Sequence, residues 1–113
     1  MKRFIALFFA CAFLLCGCQR EKAFTSARWE MDPENRVWII DNLLENYPLV
    51  GMSEAEVLEL LGTPDNGRTD YFEAENRFVY CLGTERGMFG IDCEWLLLDF
   101  EDGVVTARTH THD

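Results

Sequence analysis

Residues 51–64, GMSEAEVLELLGTP, combine the start signal, the apolar face and the stop signal of one short helix. Ser53 and Glu56 have the spacing of a capping box, in which each side chain accepts a hydrogen bond from the other residue's backbone N–H. The apolar side chains at helical spacing are Val57, Leu58, Leu60 and Leu61. Gly62 suits the left-handed conformation that ends a helix, and Pro64 prevents its continuation. The stretch therefore predicts a helix that packs by one face onto the rest of its domain.

A second helical pattern precedes this one. Asp32 is a suitable N-cap, and Pro33 is a suitable first helical residue. The apolar residues that follow at helical spacing are Val37, Ile40, Leu44 and Tyr47. Because the residue before a proline is disfavoured in a helix, Pro48 predicts that this helix ends at Tyr47. The connector to residue 51 is short, so the two helices should be neighbours in space.

Three strands are predicted after the helices. Residues 77–82, RFVYCL, are aromatic and β-branched, and residues 93–100, CEWLLLDF, have the strongest strand pattern. Asp102-Gly103 is typical of a type I′ hairpin turn, so a third strand should return along the second. The sequence therefore predicts an α+β domain, in which two N-terminal helices pack on a three-stranded antiparallel β-meander.

The hairpin turn predicts which side chains share a face of the sheet. It pairs Phe100 with Val105 and Leu98 with Ala107. The face expected to receive the helices collects Phe78, Tyr80, Leu96, Leu98, Phe100, Val105 and Ala107. The opposite face is mixed, with Val79, Trp95, Leu97, Asp99, Thr106 and Arg108. We expect the opposite face to contact water or a partner.

The first residues have the pattern of a secretory signal. A basic start, MKR, precedes an apolar run, residues 4–15, that is too short to span a bilayer stably. The run leads into Leu15-Cys16-Gly17-Cys18, which resembles the lipobox of bacterial lipoproteins, where the last cysteine receives a diacylglyceryl group. We predict a lipoprotein signal peptide over residues 1–17 and lipidation at Cys18. The alternative is an ordinary cleaved signal with incidental cysteines.

Residues 18–31 are then the lipidated cysteine and a flexible tether, and residues 32–113 are the domain. Acyl chains would be the contact with the membrane. The chain has 20 acidic and 10 basic side chains, so its surface would be repelled by anionic headgroups. Gln19, rather than aspartate, follows the cysteine, which by analogy with Gram-negative sorting favours the outer membrane. We expect the domain to face the periplasm.

Composition and motifs exclude several kinds of function. Nucleic acid is not an expected partner, because the formal net charge is −10 and phosphate binding needs a basic patch. After the signal, the serines are Ser26 and Ser53, and neither belongs to a nucleophile motif. No glycine pattern for phosphates and no cofactor motif occurs. We therefore predict a protein that is not an enzyme and has no cofactor.

Cys81 and Cys93 would remain as an unmodified pair after processing. An even number of thiols in an oxidising compartment predicts a disulfide. A hairpin centred on Gly87 would place the two cysteines directly opposite each other, with Val79 opposite Trp95. The alternative is a pair of buried free thiols, which a different register of the hairpin would produce.

Two further segments carry candidate binding residues. The loop before the second strand contains Met88, Phe89 and Ile91, and with Trp95 these are the predicted partner-binding residues. The alternative is that the loop side chains fold back and close the small core. The C-terminal His110-x-His112-Asp113 has no third and fourth metal ligand at a recognised spacing. We predict a frayed polar tail there and no metal site.

These features together resemble the SmpA/OmlA (BamE)-like lipoproteins. The matching residues are a lipobox, the motif Gly51-Met52-Ser53-x-x-x-Val57-x-x-Leu60-Leu61-Gly62-x-Pro64 and the closing Leu98-x-Phe100-x-x-Gly103-x-Val105. The resemblance covers residues 34–110 and implies two helices on a three-stranded sheet. The best-known member is attached to the machinery that inserts β-barrel proteins into the outer membrane.

The resemblance implies a lipid-anchored binding module that acts on an envelope protein, in outer-membrane protein assembly or envelope maintenance. The alternative is an inhibitor-like or small-ligand-binding lipoprotein. The chain departs from the assembly-factor pattern in its acidity, its cysteine pair and its loop over residues 84–92. The expectation therefore extends to fold and compartment, and leaves the partner open.

Overall fold

The computed structural model describes residues 22–68, 70–86 and 90–113. Within these ranges the chain forms three helices, α1 (Ser26–Met31), α2 (Ile40–Asn46) and α3 (Glu54–Leu61), and a 3₁₀ turn, Arg36–Trp38. The strands are β1 (Arg77–Thr84), β2 (Cys93–Glu101) and β3 (Val104–His112). They form an antiparallel sheet of order β1-β2-β3. The predicted α+β architecture, helices followed by a three-stranded antiparallel meander, is confirmed.

Helix α3 begins and ends where its sequence predicts. The Ser53 hydroxyl accepts from the Glu56 N–H at 3.1 Å, and the Glu56 carboxylate accepts from the Ser53 N–H at 3.0 Å. These bonds lower the pKa of the exposed Glu56 carboxyl. The helix ends at Gly62, whose φ is 73°, and Val57 is fully buried. Leu58 is 42% exposed, so the buried stripe is narrower than predicted.

The helix that was predicted between Asp32 and Tyr47 is shorter in the structure, where it corresponds to α2. A continuous helix from Asp32 to Tyr47 was expected, whereas the chain forms a 3₁₀ turn at Arg36–Trp38 and then α2. Two causes are visible. Asn35 pairs with Gly83 at the edge of the sheet, which draws the backbone before Arg36 away from a helical path. The run Val37-Trp38-Ile39-Ile40 is also poor in strong helix formers. The predicted stop before Pro48 is confirmed, because Tyr47 is extended.

The folded unit begins earlier than residue 32, so the tether prediction is wrong for the described part of residues 18–31. Helix α1 lies inside that range, and Thr25 caps it by accepting from the Arg28 N–H at 3.0 Å. Trp29 is fully buried, with ring contacts to Phe24 at 5.9 Å and Tyr80 at 5.8 Å. A residue that fills the space between helices and sheet cannot belong to a mobile tether. The predicted signal peptide (1–17) and Cys18 lie outside the described residues.

The β2–β3 hairpin contains an irregularity that changes the predicted faces. Phe100 pairs with Val105 as expected, but Leu98 pairs with Arg108 rather than with Ala107. Thr106 is the extra residue of a β-bulge, so the alternation of side chains shifts by one position after it. Arg108 consequently lies on the helix side, where its guanidinium donates to the Leu44 carbonyl at 3.0 Å.

The helix-covered face is otherwise as predicted, whereas the opposite face is not open. Tyr80, Leu96 and Leu98 are fully buried beneath the helices. On the other face Val79, Trp95 and Leu97 are also buried, and Phe72 packs on Trp95 with ring centroids 5.6 Å apart. The predicted mixed face is therefore a second small core beneath the segment that connects α3 to β1.

That segment is held by side chains that cap the outer edge of β1. The Asp65 carboxylate accepts from the Cys81 N–H at 2.9 Å, and the Asn66 side-chain carbonyl accepts from the Val79 N–H at 2.9 Å. The Asp65 N–H donates to the Val79 carbonyl at 2.7 Å. The edge of β1 is thus occupied by the chain itself.

Arg36 connects these parts and is 6% exposed. Its guanidinium donates to the Trp29 carbonyl at 2.8 Å and to the Cys81 carbonyl at 3.2 Å. It lies 3.4 Å from the Asp65 carboxylate and 4.5 Å from the centre of the Trp29 ring. Burial lowers the pKa of Arg36 below its ordinary value, and the Asp65 charge opposes that effect. One buried cation therefore links α1, β1 and the edge cap.

Replacing this cation by an apolar side chain of similar length should destabilise the domain. We expect Arg36→Met to lower the free energy of unfolding by about 3 kcal/mol, because two buried carbonyls and the Asp65 carboxylate lose their donor. Urea unfolding followed by tryptophan fluorescence measures this loss. The exposed Arg68 supplies the control, and Arg68→Met should change stability by less than about 0.5 kcal/mol. Equal losses in the two variants would show that Arg36 is not a central link.

Candidate functional site

One end of the sheet gathers polar side chains from all three strands. It lies where β1 ends, β2 begins and β3 ends, and it contains a cavity of about 290 Å³. The lining residues are Glu85, Arg86, Glu94, His110, Thr111 and His112. The helices cover the neighbouring part of the same face, so this end is where the core gives way to charged groups.

Glu94 is the centre of the first group, which we call the charged cluster (Asp41, Arg86, Glu94 and His110). Its side chain is 8% exposed and binds Arg86 through both oxygens, at 2.9 and 3.0 Å. The Arg86 N–H also donates to this carboxylate at 2.9 Å, and His110 Nε2 lies 2.8 Å from it. Arg86 continues to Asp41 of α2 at 2.8 Å. The cluster therefore ties the start of the loop and the end of β3 to a helix.

The electrostatics of Glu94 follow from these contacts. Burial alone would raise the pKa of Glu94, but the hydrogen bonds from Arg86 and His110 outweigh it and hold that pKa below its ordinary value. The same contact with Glu94 raises the pKa of Arg86. Glu94 is thus a carboxylate that stays ionised although it is buried, and Arg86 stays charged beside it.

Sequence reasoning missed the charged cluster. Glu94 lies two residues before Leu96 on β2, so its side chain is on the face of the strand that packs against the helices. A glutamate at such a position is unusual, and it was the available signal for a buried charged group. Its partners could not be found from sequence, because they depend on register. His110 pairs with Leu96 and His112 with Glu94 only after the bulge at Thr106 has shifted β3.

A second group lies beside the first. Glu85 follows β1, Asp92 precedes β2 and His112 ends β3, and one ligand atom from each lies within 4.8 Å of the others. The Glu85 N–H donates to the Asp92 carbonyl at 2.7 Å, which brings the two ends of the loop together. Sequence spacing did not reveal this group, because its members are far apart along the chain.

The C-terminus is ordered, so the predicted frayed tail is wrong. Strand β3 extends to His112 and pairs with β2 along its length. Asp113 continues the contact, since its N–H donates to the Cys93 carbonyl at 3.3 Å and its carboxylate accepts from the Cys93 N–H at 2.9 Å. The backbones of both histidines therefore hold fixed positions at this end of the sheet.

The predicted partner-binding residues have different environments. Ile91 is 80% exposed, so its side chain does not fold back to close the core, which was the alternative prediction for this loop. Trp95 is 6% exposed beneath Phe72, so its prediction as a contact residue is wrong. Met88 and Phe89 lie outside the described residues.

Cys81 and Cys93 are not directly opposed. Cys81 pairs with Trp95, and Cys93 pairs with Thr84, because each β1 residue lies two positions further along β2 than predicted and a bulge follows Cys81. Neither cysteine is bridged in the structure, and both side chains lie in the second core. Burial first, and then the proximity of Cys81 and Asp113, raises the pKa of the Cys93 thiol.

Comparison with known proteins finds no matching family model, no curated relative and no similar solved structure. The described helices are all too short or too polar to cross a bilayer. The features of the chain that bear on its function are therefore the sequence signals and this end of the sheet.

The stabilising effect of Glu94 should depend on pH. Because its folded-state pKa is lowered, its contribution is present above the ordinary carboxyl pKa of about 4.3 and is lost as pH falls through the folded-state value. We expect Glu94→Gln to cost about 2 kcal/mol at neutral pH, where charged hydrogen bonds are lost, and much less in strong acid. Urea unfolding at several pH values measures both differences.

Glu101 provides the matched control at the other end of β2, since it is an exposed carboxylate on the same strand. Glu101→Gln should leave stability nearly unchanged at either pH. A pH-independent loss in the Glu94 variant would mean that the carboxylate acts through packing alone.

Proposed function

We propose that the chain is a lipid-anchored binding module that faces the periplasm and contacts an envelope protein, in outer-membrane protein assembly or envelope maintenance. The lipobox-like sequence ending at Cys18 supports the anchor. The resemblance to SmpA/OmlA (BamE)-like lipoproteins supports the compartment and the type of role.

The observation that carries the proposal is the difference between the two edges of the sheet. Asp65 and Asn66 bind the edge of β1, as described above. On β3, segment 51–53 covers only the start of the outer edge, through bonds of Gly51 and Met52 with Val105. From residue 106 to the C-terminus, no described residue gives a backbone hydrogen bond to the outer edge of β3. An unpaired strand edge is a template for an added strand of a partner.

The exposed Ile91 extends this surface. It neighbours Asp92, whose carboxylate lies within 4.8 Å of a ligand atom of His112, so the loop and the end of β3 share one end of the sheet. Main-chain pairing supplies affinity in strand addition, and an apolar side chain beside the strand supplies selectivity. The proposed contact surface is therefore the outer edge of β3 over residues 106–112 with Ile91.

Site-specific photocrosslinking in cells tests this surface. The crosslinking residue replaces Ile91 or Thr109 in the lipidated protein, and mass spectrometry identifies what is captured. Met31 supplies the control, because it is 84% exposed and apolar but lies on α1. We expect positions 91 and 109 to capture the same envelope protein, and position 31 to capture none of it.

The identity of the captured protein separates the alternatives. A component of the β-barrel assembly machinery would support the role that the resemblance implies. A soluble enzyme would favour the inhibitor-like alternative and remove the assembly role. Capture from position 31 alone would contradict the proposed surface.

We also propose that Cys81 and Cys93 form a disulfide in the oxidising compartment. They lie on the same face of neighbouring strands, in diagonal positions, because Cys81 pairs with Trp95 and Cys93 lies two residues before Trp95. Both cysteines contact the second core. A bridge would close a short loop and stabilise the domain by about 3 kcal/mol in the chain-entropy model.

Protein isolated from the exported pool should therefore lack reactive thiols until it is reduced, and reduction should lower its melting temperature. The double variant Cys81→Ser/Cys93→Ser should melt at the temperature of the reduced wild type, whatever the redox conditions. Full thiol reactivity in the unfolded, unreduced protein would show that the bridge does not form.

A further inference from the structure

We propose that Glu85, Asp92 and His112 bind a divalent transition-metal cation, for which Zn²⁺ is the probe. The three residues come from three separate places in the chain, after β1, before β2 and at the end of β3. Two carboxylates and one imidazole are a chemically complete set of protein ligands for an open metal site. The proposal is independent of the partner proposed above.

The geometry is close to that of a site with bound metal. The Glu85 carboxylate lies 3.9 Å from His112 Nδ1, and all three ligand atoms lie within 4.8 Å of one another. Ligands bound to zinc at about 2.1 Å are about 3.4 Å apart in a tetrahedral site. Small rotations of side chains would close the difference. The imidazole is 63% exposed and the Glu85 side chain 28% exposed, so both have room to rotate.

The backbone beneath these side chains is already fixed. The hydrogen bond from the Glu85 N–H to the Asp92 carbonyl holds the two carboxylates at the neck of the loop. His112 is held by its pairing with Glu94 on β2. The ligands therefore do not need a folding event to meet, which lowers the entropy cost of binding.

The local charge also favours a cation. Among the described residues, no lysine or arginine forms an ion pair with Glu85 or Asp92. The guanidinium of Arg86, the residue that follows Glu85, is already bound to Glu94 and Asp41. The two carboxylates thus lie close together without a lysine or arginine partner, and a divalent cation would relieve the repulsion between them.

The ligand types select the metal class. Imidazole favours Zn²⁺, Ni²⁺ and Cu²⁺, whereas Ca²⁺ and Mg²⁺ prefer sites made of oxygen. Three protein ligands leave at least one position for water or for a donor from another molecule. His110 is not assigned as a ligand, because its Nε2 is bound to Glu94.

The chain has two histidines, two residues apart on β3, and they provide a matched pair of variants. Zn²⁺ is titrated by calorimetry into the full mature lipidated chain in detergent micelles, without a polyhistidine tag and after dialysis against chelator. The background is Cys81→Ser/Cys93→Ser, so that thiols do not contribute. We expect one Zn²⁺ per chain, unchanged affinity in His110→Gln, and at least tenfold weaker binding in His112→Gln.

Glu85→Gln and Asp92→Asn complete the test, and each should also weaken binding at least tenfold. Circular dichroism shows whether each variant remains folded, which is expected because these side chains lie outside the core. An absence of Zn²⁺ binding in the parent protein would overturn the proposal. Equal losses from the two histidine variants, or no loss from the carboxylate variants, would do the same, because the ligands would then be different.

Discussion

The buried guanidinium of Arg36 is the contact on which the arrangement of the other elements depends. Its donors reach the carbonyls of Trp29 and Cys81, and its charge meets Asp65, so helix α1, strand β1 and the edge cap share one cation. A buried cation is costly unless nearly all its hydrogen bonds are satisfied, and these three partners are available only in this packing. Because the core of this domain is small, such a contact helps to fix a single arrangement of its short helices.

The parts of the fold that were predictable from sequence are those specified by neighbouring residues. The capping box of Ser53 and Glu56, the stop at Gly62 and the turn at residues 102–103 depend on local hydrogen bonds and backbone preferences, and all three occur as expected. The prediction of a continuous helix from Asp32 to Tyr47 was wrong, because the helical pattern competes with a distant contact, the pairing of Asn35 with Gly83. Trp29 falls within the predicted tether for a similar reason, since an isolated aromatic residue has no periodic signal that would predict its burial.

The candidate site was not predictable, because two bulges decide it. A bulge after Cys81 shifts the pairing near Thr84, and a bulge at Thr106 reverses which side chains of β3 face the helices. With ideal alternation from the turn, Ala107 would face the helices and both histidines would face away from Glu94. The extra residue therefore converts a C-terminal sequence that looks like a frayed tail into one wall of a charged cavity. The register of β1 against β2 likewise decides that Cys81 and Cys93 are not directly opposed, as they were predicted to be.

The location of the site has a simple physical cause. The helices are short and cover the sheet only from Leu96 towards Phe100, so β2 and β3 extend beyond the core at one end. Glu94 lies at that boundary and is neutralised by Arg86, whereas Glu85 and Asp92, one step further out, have no lysine or arginine partner among the described residues. The open edge of β3 and the exposed Ile91 meet the same end. This end of the sheet thus combines unpaired backbone groups, exposed apolar surface and carboxylates without a lysine or arginine partner. An interaction of this domain is therefore best sought there.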